Sequence, residues 1–441
     1  MNMKITVVTM ELDKIKDKEF RSSLDNILNV VQDSEETFEE KVNEFFRKLF
    51  SEFAGKNAGI CYMAEPYTSQ KISGYEESMK RFRNTIISTH HSIADHCNVT
   101  VLFENVPKIF AMVMNSLQDY ATSEKSARYT VMSNLSEEEN LLYNKWREKL
   151  KNVLLEKDIP EANAEKLANE NARYFISVFS PATTFSYTTS IRQWNYINVW
   201  FNELINVGYP EDYPEYIKRF SGNLRPWLLE FKELFENSLI YNDLIEEPKS
   251  RRIDFIPQLY PDTLEPIHQK EIYSDSYSSR YYVSFSSLAQ LHRHRSIKYV
   301  INDLSTIDRP VFFIPDFIKD DPAMVEEWSE DMNGCKYNFP QGLVIEVFEF
   351  GTVDKFLLKC DERLCGRAQY ETMQCVKSVL MMFCEARDCS PYYNQKVLDW
   401  FELGEDKDTF RVKAKCEMRV GGCADKGGCL HGPKNATERT F

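Results

Sequence analysis

A polar, proline-punctuated segment, Glu246–Pro266, divides the chain nearly in half. Its composition is that of a linker, and no other stretch of the 441 residues matches that description as well. A chain of this length exceeds one ordinary hydrophobic core and suits two or three domains. We therefore expect a first domain over residues 1–245, a linker over residues 246–266, a second domain over residues 267–412 and a cysteine-rich tail over residues 413–441.

Both halves mix helical and strand patterns, so each half is predicted to be α+β. In the first half the apolar spacing predicts two helices, Ser136–Lys157 and Ile191–Leu204, and two short strands, Val99–Phe103 and Thr183–Thr188. In the second half it predicts strands over Arg280–Phe285 and Leu343–Phe350 and one long helix over Val353–Arg387.

The charge balance limits the partners of the chain. It has 54 basic and 68 acidic side chains, which gives a formal net charge of −14. This surplus of negative charge repels the phosphate backbone of a nucleic acid, so no nucleic-acid partner is expected. A small anionic ligand is compatible with it, because a few arginines in one cleft can bind a phosphate whatever the net charge.

The amino-terminal residues and the cysteines bear on the compartment. Acidic side chains interrupt the start before any apolar run long enough for a signal peptide, and no later stretch is long and uncharged enough to span a bilayer. The cysteines are eleven, an odd number, and nine of them lie between Cys335 and Cys429. We expect a cytoplasmic protein with no membrane partner, and reduced thiols or a metal site in preference to disulfides.

Five of the seven histidines fall in two tight groups. The first group contains His90, His91 and His96; because His90 and His96 do not share a helix face, it is a poor two-ligand zinc site, and structural hydrogen bonding explains it equally well. The second group is His292-Arg293-His294-Arg295. It is either a solvated basic stripe or a set of planar donors for a buried phosphate or a flavin.

Six segments carry recognisable patterns: Ala58–Tyr62, Ser88–Val106, Ser123–Met132 and Asn171–Trp194 in the first half, and Ala289–Ser296 and Phe356–Gln374 in the second. In both halves these segments resemble the flavin-dependent thymidylate synthases. The resemblance implies two thymidylate synthase-like domains in tandem, each an antiparallel sheet flanked by helices. It implies the reductive methylation of dUMP to dTMP, with methylenetetrahydrofolate as carbon donor and FAD, reduced by NADPH, as hydride source.

The two halves keep complementary parts of the family pattern. The second half has the Arg-His-Arg at residues 293–295 and the helix arginine Arg363, where the first half has residues 116–118 (Ser-Leu-Gln) and Phe201. The first half keeps the Ser-Glu-x-Ser segment at residues 123–126, where the second half has Asp303 in place of a serine. Because the family builds its active site between subunits, the resemblance implies one composite site formed by both halves.

The resemblance assigns the site residues position by position. The catalytic residue is Arg363, beside the pyrimidine. The substrate-binding residues are Gln290, Arg293, Ser123, Glu124, Ser126, Arg128 and Arg173. The cofactor-binding residues are His90, Ser92, Glu124, Arg192, Arg293, His294 and Arg295. Asp95 and Thr352 stand where the family has a glutamate and an asparagine.

The implied partners are small molecules: dUMP, a folate and a nicotinamide nucleotide. Since two double-length chains supply the four domains of the family's tetramer, a homodimer is expected. Two alternatives stay open, a related flavoenzyme acting on another pyrimidine nucleotide and a non-catalytic nucleotide-binding regulator. A Rossmann dehydrogenase and a P-loop enzyme are disfavoured, because the sequence lacks both of their glycine-rich motifs.

The cysteine-rich tail carries Cys416, Cys423, Cys429 and His431. These are the ligand types of a structural zinc site, but their spacing lacks the close C-x-x-C pair of common zinc modules. We expect reduced thiols in the tail and no metal ligands.

Overall fold

The structure is a computed structural model. It describes residues 4–7, 53–58, 75–87, 91–96, 98–117, 120–127, 129–206, 215–235, 253–254, 276–294, 296–303, 310–386, 391–404, 410–418 and 429–441. Among these residues no helix is both long and apolar enough to cross a lipid bilayer.

The described part of the first half contains a four-stranded antiparallel sheet in the order β1-β2-β4-β3. Its strands are β1 (Lys4–Val7), β2 (Asn98–Val106), β3 (Ala121–Glu124) and β4 (Thr183–Ser190). Its helices are α1 (Tyr75–Ile87), α2 (Lys108–Asn115), α3 (Glu137–Glu156), α4 (Glu161–Ala172), α5 (Ile191–Asn206) and α6 (Glu215–Phe235), with 3₁₀ turns at His91–His96 and Arg173–Phe175.

The described part of the second half contains a second sheet, in the order β5-β7-β8-β6. Its strands are antiparallel, except that the short β5 pairs in parallel with β7. The strands are β5 (Ile253–Asp254), β6 (Ser276–Ser284), β7 (Lys298–Asp303) and β8 (Val344–Thr352). The helices are α7 (Phe285–Leu291), α8 (Pro322–Gly334), α9 (Val353–Arg363), α10 (Tyr370–Ala386), α11 (Pro391–Leu398) and α12 (Lys415–Met418), and a hairpin joins β9 (Phe401–Leu403) to β10 (Phe410–Val412).

The two sheets have the same three-stranded centre, β2-β4-β3 in the first half and β6-β8-β7 in the second. Tyr187 and Glu349 occupy the same position on the two central strands, three residues before the strand ends, and they pair with Thr122 of β3 and Tyr299 of β7. In both halves the central strand continues directly into a helix, which begins at Ile191 or Val353.

This shared geometry relates two positions that matter for the site. Phe201 lies ten residues after Ile191, the first residue of α5, and Arg363 lies ten residues after Val353, the first residue of α9. Phe201 and Arg363 therefore lie at the same distance from the start of the helix that follows the central strand of their sheet.

The helices and strands predicted in the first half are confirmed, with ends that differ by a few residues. A capping box begins α3: the Ser136 hydroxyl accepts from the Glu139 amide, and the Glu139 carboxylate accepts from the Ser136 amide at 2.9 Å. These two bonds satisfy amides that the first helical turn leaves without partners, so the Ser-x-x-Glu pattern sets the start of the helix.

The single long helix predicted over Val353–Arg387 is wrong, because residues 364–369 separate α9 from α10. The carboxyl-terminal tail explains the break. The Arg439 guanidinium donates to the Gly366 carbonyl at 2.9 Å and to the Ala368 carbonyl. A Cβ on Gly366 would lie 2.9 Å from the Cys429 sulfur, so the tail packs where only a glycine leaves room.

The predicted strand Arg280–Phe285 ends one residue early, because Phe285 begins α7. The Ser284 hydroxyl accepts from the Ser287 amide at 3.1 Å and caps this short helix. Leu343 likewise precedes β8 and does not belong to it.

The two halves pack against each other within one chain. In the main hydrophobic core, Phe179 and Phe220 of the first half contact Phe339 of the second half with edge-on rings, at centroid distances of 5.6 and 5.2 Å. A second core joins the inserted helices of both halves, where Trp146 of α3 lies edge-on to Trp328 of α8 at 4.8 Å. Continuous apolar contact therefore extends across the boundary between the halves.

Backbone hydrogen bonds also cross this boundary. Val178 donates to the Phe339 carbonyl, Gln341 to the Ile176 carbonyl and Gly342 to the Tyr174 carbonyl, each at 2.9 Å. This short antiparallel contact fixes the segment before β4 against the segment before β8, and a shift of either half would break all three bonds.

We predict that Gly342→Ala loosens the contact between the halves. A Cβ on Gly342 would lie 3.0 Å from the Cβ of Tyr174 and 3.0 Å from the Met332 methyl carbon. These two side chains would have to move to make room for the added methyl group. The free energy of unfolding should fall by about 1–3 kcal/mol, as measured by chemical denaturation. The matched control is Gly334→Ala, where nothing lies within 4 Å of the added carbon and the stability should hold or rise by about 0.4–1 kcal/mol. Equal effects of the two substitutions would contradict the prediction.

Candidate functional site

A cleft of about 300 Å³ lies between the two halves. The first half supplies its wall from the start of α2, the loop after β3, the end of α4 and the start of β4. The second half supplies α7 with the turn that follows it, the end of α9 and the loop that separates α9 from α10. The lining residues are Lys108, Glu124, Lys125, Ser126, Ala127, Tyr129, Met132, Glu170, Arg173, Ser180, Ala182 and Thr183 from the first half and Ala289, Gln290, Arg293, Gln341, Arg363 and Arg367 from the second.

Arg293 reaches across the cleft from the second half to the first. Its guanidinium lies 3.3 Å from the Glu124 carboxylate and donates to the Thr122 carbonyl at 3.4 Å. The turn that carries it is closed by the amide of His292, which donates to the Leu288 carbonyl at 3.0 Å. His292 itself is buried, and its ring pairs with the same carbonyl at 2.9 Å, so this histidine has a structural role.

Glu124 is almost completely buried and bridges two cations. Lys108 donates to one carboxylate oxygen, and Arg293 lies against the other. Burial lowers the pKa of Lys108, and the Glu124 carboxylate opposes this shift. The shared carboxylate allows two positive side chains to lie together at the cleft wall, where alone they would repel each other.

A buried hydrogen-bond network connects the halves behind the cleft. The side-chain oxygen of Gln369 accepts from Arg173 at 2.6 Å and from Gln290, and its amide nitrogen donates to the Tyr174 hydroxyl. That hydroxyl in turn donates to the Glu371 carboxylate at 2.9 Å. The network therefore sets the positions of two cleft side chains, one from each half.

Arg363 is the last residue of α9, and it is half-buried. Its terminal nitrogen donates to the Gln290 carbonyl at 3.0 Å. Burial lowers the pKa of Arg363, and the nearby positive charge of Arg293 adds to that shift. Its Nε is buried and has no hydrogen-bond partner among the described residues.

The charge of the cleft is opposite in sign to that of the whole chain. Six basic side chains line it, against the two carboxylates of Glu124 and Glu170. A cleft with this surplus of positive charge attracts anions, and planar guanidinium groups suit phosphate in particular. The sequence predicts a local anion site in an acidic chain, and this cleft is the candidate for that site.

The structure brings together six of the residues that the resemblance assigns to the site. These are Gln290, Arg293, Glu124, Ser126, Arg173 and Arg363, and all of them line the cleft. Ser123 is exposed on β3 beside Glu124 and is not among the lining residues. Arg128 lies outside the described residues, as do His90, Arg295 and the side chain of Ser92.

Two further residues assigned to the cofactor stand apart from the cleft lining. Arg192 pairs with Asp95 at 2.8 Å, and Asp95 also accepts from the Ser190 hydroxyl at 2.9 Å. The aspartate thus makes two bonds despite being shorter than the family's glutamate. His294 follows Arg293 in the turn after α7 and donates its backbone amide to the Leu291 carbonyl at 3.1 Å.

Several lining residues were not predicted from the sequence. Arg367 lines the cleft and lies in the resembling segment Phe356–Gln374, but it was not assigned a role there. Gln369, in the same segment, lies behind the cleft lining and was not assigned either. Lys108 gave no such signal, because it is a single lysine after Pro107 at the junction of β2 and α2. Its role depends on Glu124, and only the fold brings the two together.

Comparison with known protein families supports the first half of the resemblance. Residues 48–199 match the family described as thymidylate synthase complementing protein. The matched stretch contains Glu124, Ser126 and Arg173, whereas Arg293 and Arg363 lie beyond it. A search of curated proteins finds no match for the chain.

We predict that Glu371 makes the stability of this network depend on pH. Burial raises the pKa of Glu371 above its ordinary value, although hydrogen bonds from Ser284 and Tyr174 oppose the shift. A carboxyl with a raised pKa in the folded state contributes stability that is complete below its unfolded pKa and is lost as the pH rises through the folded pKa.

Glu371→Gln removes this titration. The difference in unfolding free energy, wild type minus variant, should therefore decrease as the pH rises from about 4.5, the ordinary glutamate range. Chemical denaturation of both proteins between pH 4.5 and pH 8 measures it. A difference that stays constant or grows with pH would show that burial does not dominate at this carboxyl.

Proposed function

We propose that the protein is a flavin-dependent thymidylate synthase, because residues 48–199 match the family described as thymidylate synthase complementing protein. The proposed reaction is the reductive methylation of dUMP to dTMP, with methylenetetrahydrofolate as carbon donor. The observation that carries the proposal is the cleft, because residues assigned independently in both halves line one cavity.

We propose further that each chain builds one composite active site. The first half contributes Glu124, Ser126 and Arg173, and the second half contributes Arg293 and Arg363. The equivalent position to Arg363 in the first half is Phe201, which is fully buried among aromatic rings and offers no charge. Each half lacks the residues that the other supplies, so the two halves together hold the residues of one such site. The same central strand order in both sheets supports a tandem of related domains.

The cleft suits the nucleotide substrate. A phosphate dianion needs several charge-assisted donors, and the cleft offers Arg173, Lys125 and the Ser126 hydroxyl from the first half. Gln290 lies on the opposite wall, where its amide is held by Gln369. The volume of about 300 Å³ matches a single nucleotide better than a polymer, in agreement with the acidic charge of the chain.

Arg363 is the proposed catalytic residue. Carbon 5 of the pyrimidine must become nucleophilic in this reaction, so negative charge develops on the ring. A half-buried guanidinium that is held by the Gln290 carbonyl stabilises that charge without first having to reorganise. In the proposed mechanism Arg363 stabilises this charge electrostatically, and the reaction needs no cysteine nucleophile.

The proposed flavin site lies against Arg293 and the turn that carries it. Arg293 lines the cleft, His294 follows it in the same turn outside the cleft lining, and the electron-rich ring system of a flavin suits such planar donors. When bound, FAD would supply the hydride, and NADPH would reduce it. Arg293 and His294 would hold the cofactor next to the nucleotide, and Arg363 would stay on the pyrimidine side.

We also propose a domain division at residues 246–266 and a homodimer of two chains, equivalent to the four domains of the family's tetramer. The contacts between the halves support pairing within one chain, because aromatic packing and three backbone bonds join them directly.

We predict that Arg363→Ala abolishes thymidylate formation and leaves the fold intact, because the side chain lines the cleft and makes one backbone contact. The assay is anaerobic incubation with dUMP, methylenetetrahydrofolate and reduced FAD. The matched control is Phe201→Leu at the equivalent position of α5, which should lower the melting temperature through lost core packing and leave turnover per folded molecule unchanged. Near-normal turnover in Arg363→Ala would rule out the catalytic assignment.

We predict that two inactive variants do not complement each other. Arg363→Ala removes a contribution of the second half and Arg173→Ala a contribution of the first. If the site forms within one chain, every site in a co-expressed mixture of the two lacks one of these arginines and stays inactive. Sites formed between chains would regain activity in mixed dimers, and such recovery in the thymidylate assay would contradict the intrachain site.

A further inference from the structure

A charged cluster lies in the core of the second half, away from the cleft lining. The Lys359 ammonium of α9 contacts the Glu349 carboxylate of β8, and both side chains are completely buried. Tyr277 and Tyr281 of β6 donate their hydroxyls to the two oxygens of the same carboxylate. The Lys359 ammonium also lies 5.1 Å from the centre of the Phe356 ring. Every oxygen of the carboxylate therefore has a partner.

Stability alone does not account for this pair. Moving two charges out of water is costly, and buried ion pairs can often be replaced by apolar side chains of similar volume with no loss of stability. What such a pair provides is a defined geometry, because the charges tolerate only one arrangement of the elements that carry them.

The first half shows that the fold does not require it. The position of Glu349 corresponds in strand register to Tyr187, whose hydroxyl donates to the Met114 carbonyl at 3.0 Å. Lys359, six residues after the start of α9, corresponds to Ile197, six residues after the start of α5. The polar cluster thus occurs in the half that has Arg363, and the half that has Phe201 carries an apolar helix residue in place of the lysine.

Lys359 is placed to control Arg363. The two residues are four apart on α9, so they lie on the same side of the helix, one turn from each other. Arg363 is the last residue of α9, so the position of its side chain follows the position of the end of this helix on the sheet. On the strand next to Glu349, Tyr299 donates to the Leu291 carbonyl at 2.8 Å, directly after the Gln290 carbonyl that accepts from Arg363.

We propose that Lys359 and Glu349 are positioning residues for Arg363. The ion pair fixes the rotation and depth of α9 on the sheet, and this fixes where the guanidinium of its last residue enters the cleft. The proposal rests on the catalytic role of Arg363 proposed above.

The test uses the double variant Lys359→Met/Glu349→Gln in the full chain. Methionine keeps the length of the lysine stem, and glutamine keeps an oxygen for the tyrosines, so no charge is left buried alone. The matched control is Ile197→Met, at the equivalent position of α5. The readouts are the melting temperature, kcat and KM for dUMP, and hydrogen–deuterium exchange of the peptide over residues 353–369.

We expect the double variant to fold, to exchange faster over residues 353–369 and to lose at least tenfold in kcat, with KM for dUMP changed less than threefold. The control should keep the wild-type kcat. A folded double variant with a kcat within twofold of wild type overturns the proposal, whatever its exchange. A purely structural role would lower the melting temperature and spare the kcat of the folded fraction.

A second variant covers a double variant that fails to fold. Glu349→Asp keeps both charges and shortens the acceptor by one methylene, so kcat should fall while the melting temperature stays close to wild type; an unchanged kcat overturns the proposal. If the wild-type chain forms no thymidylate, the proposed function fails separately. The exchange over residues 353–369 then decides, since unchanged exchange in the folded variant overturns the positioning role and faster exchange supports it.

Discussion

The side chain of Gln369 is the point on which the geometry of the cleft depends. It is buried in the second half, and its one carbonyl oxygen accepts hydrogen bonds from Arg173 of the first half and Gln290 of the second. Buried polar groups are expensive when any member lacks a partner, so a network of this kind permits few alternative arrangements. The amide nitrogen is also used, by the Tyr174 hydroxyl. The two walls of the cleft therefore share one reference point and cannot shift independently.

The electrostatics of the cleft depend on the same contact between halves. An acidic chain with a formal charge of −14 concentrates six basic groups around one cavity, and like charges at this density repel each other. Glu124 relieves part of that repulsion, because its carboxylate lies between Lys108 and Arg293. The residual positive charge suits a dianion that reaches the cavity from water. The acidic remainder of the surface disfavours longer polyanions, and this supports a mononucleotide as the ligand.

The sequence predicted the elements that depend on local pattern. The apolar spacing placed α3 and α5, and the Ser-x-x-Glu box set the start of α3 at Ser136. The break between α9 and α10 could not be predicted this way, since the helical pattern continues through it and the cause is Arg439, more than seventy residues away along the chain. Tertiary contact overrides local preference there.

The same distinction holds for the site. Arg293, Arg363, Glu124 and Ser126 were assigned because they lie in recognisable patterns, and all four line the cleft. Ser123 was assigned with them but does not line the cleft. Lys125 lines the cleft without having been assigned. Lys108 and Gln369 act only through partners that are distant in sequence, Glu124 in one case and Arg173 in the other. No one-dimensional pattern contains that information.

The core beside α9, the helix that ends in Arg363, contains charged side chains, whereas the core beside α5 has the aromatic Phe201. At the helix position that holds Arg363 in the second half, Phe201 packs edge-on against Phe231 at 4.9 Å and near Phe110 at 6.0 Å. A buried cation is costly, whereas an aromatic side chain in a core adds favourable contacts. With the catalytic role proposed for Arg363, the second half keeps a cation at the end of α9 and, one turn earlier, the buried ion pair of Lys359, where the helix α5 of the first half has Phe201 and Ile197.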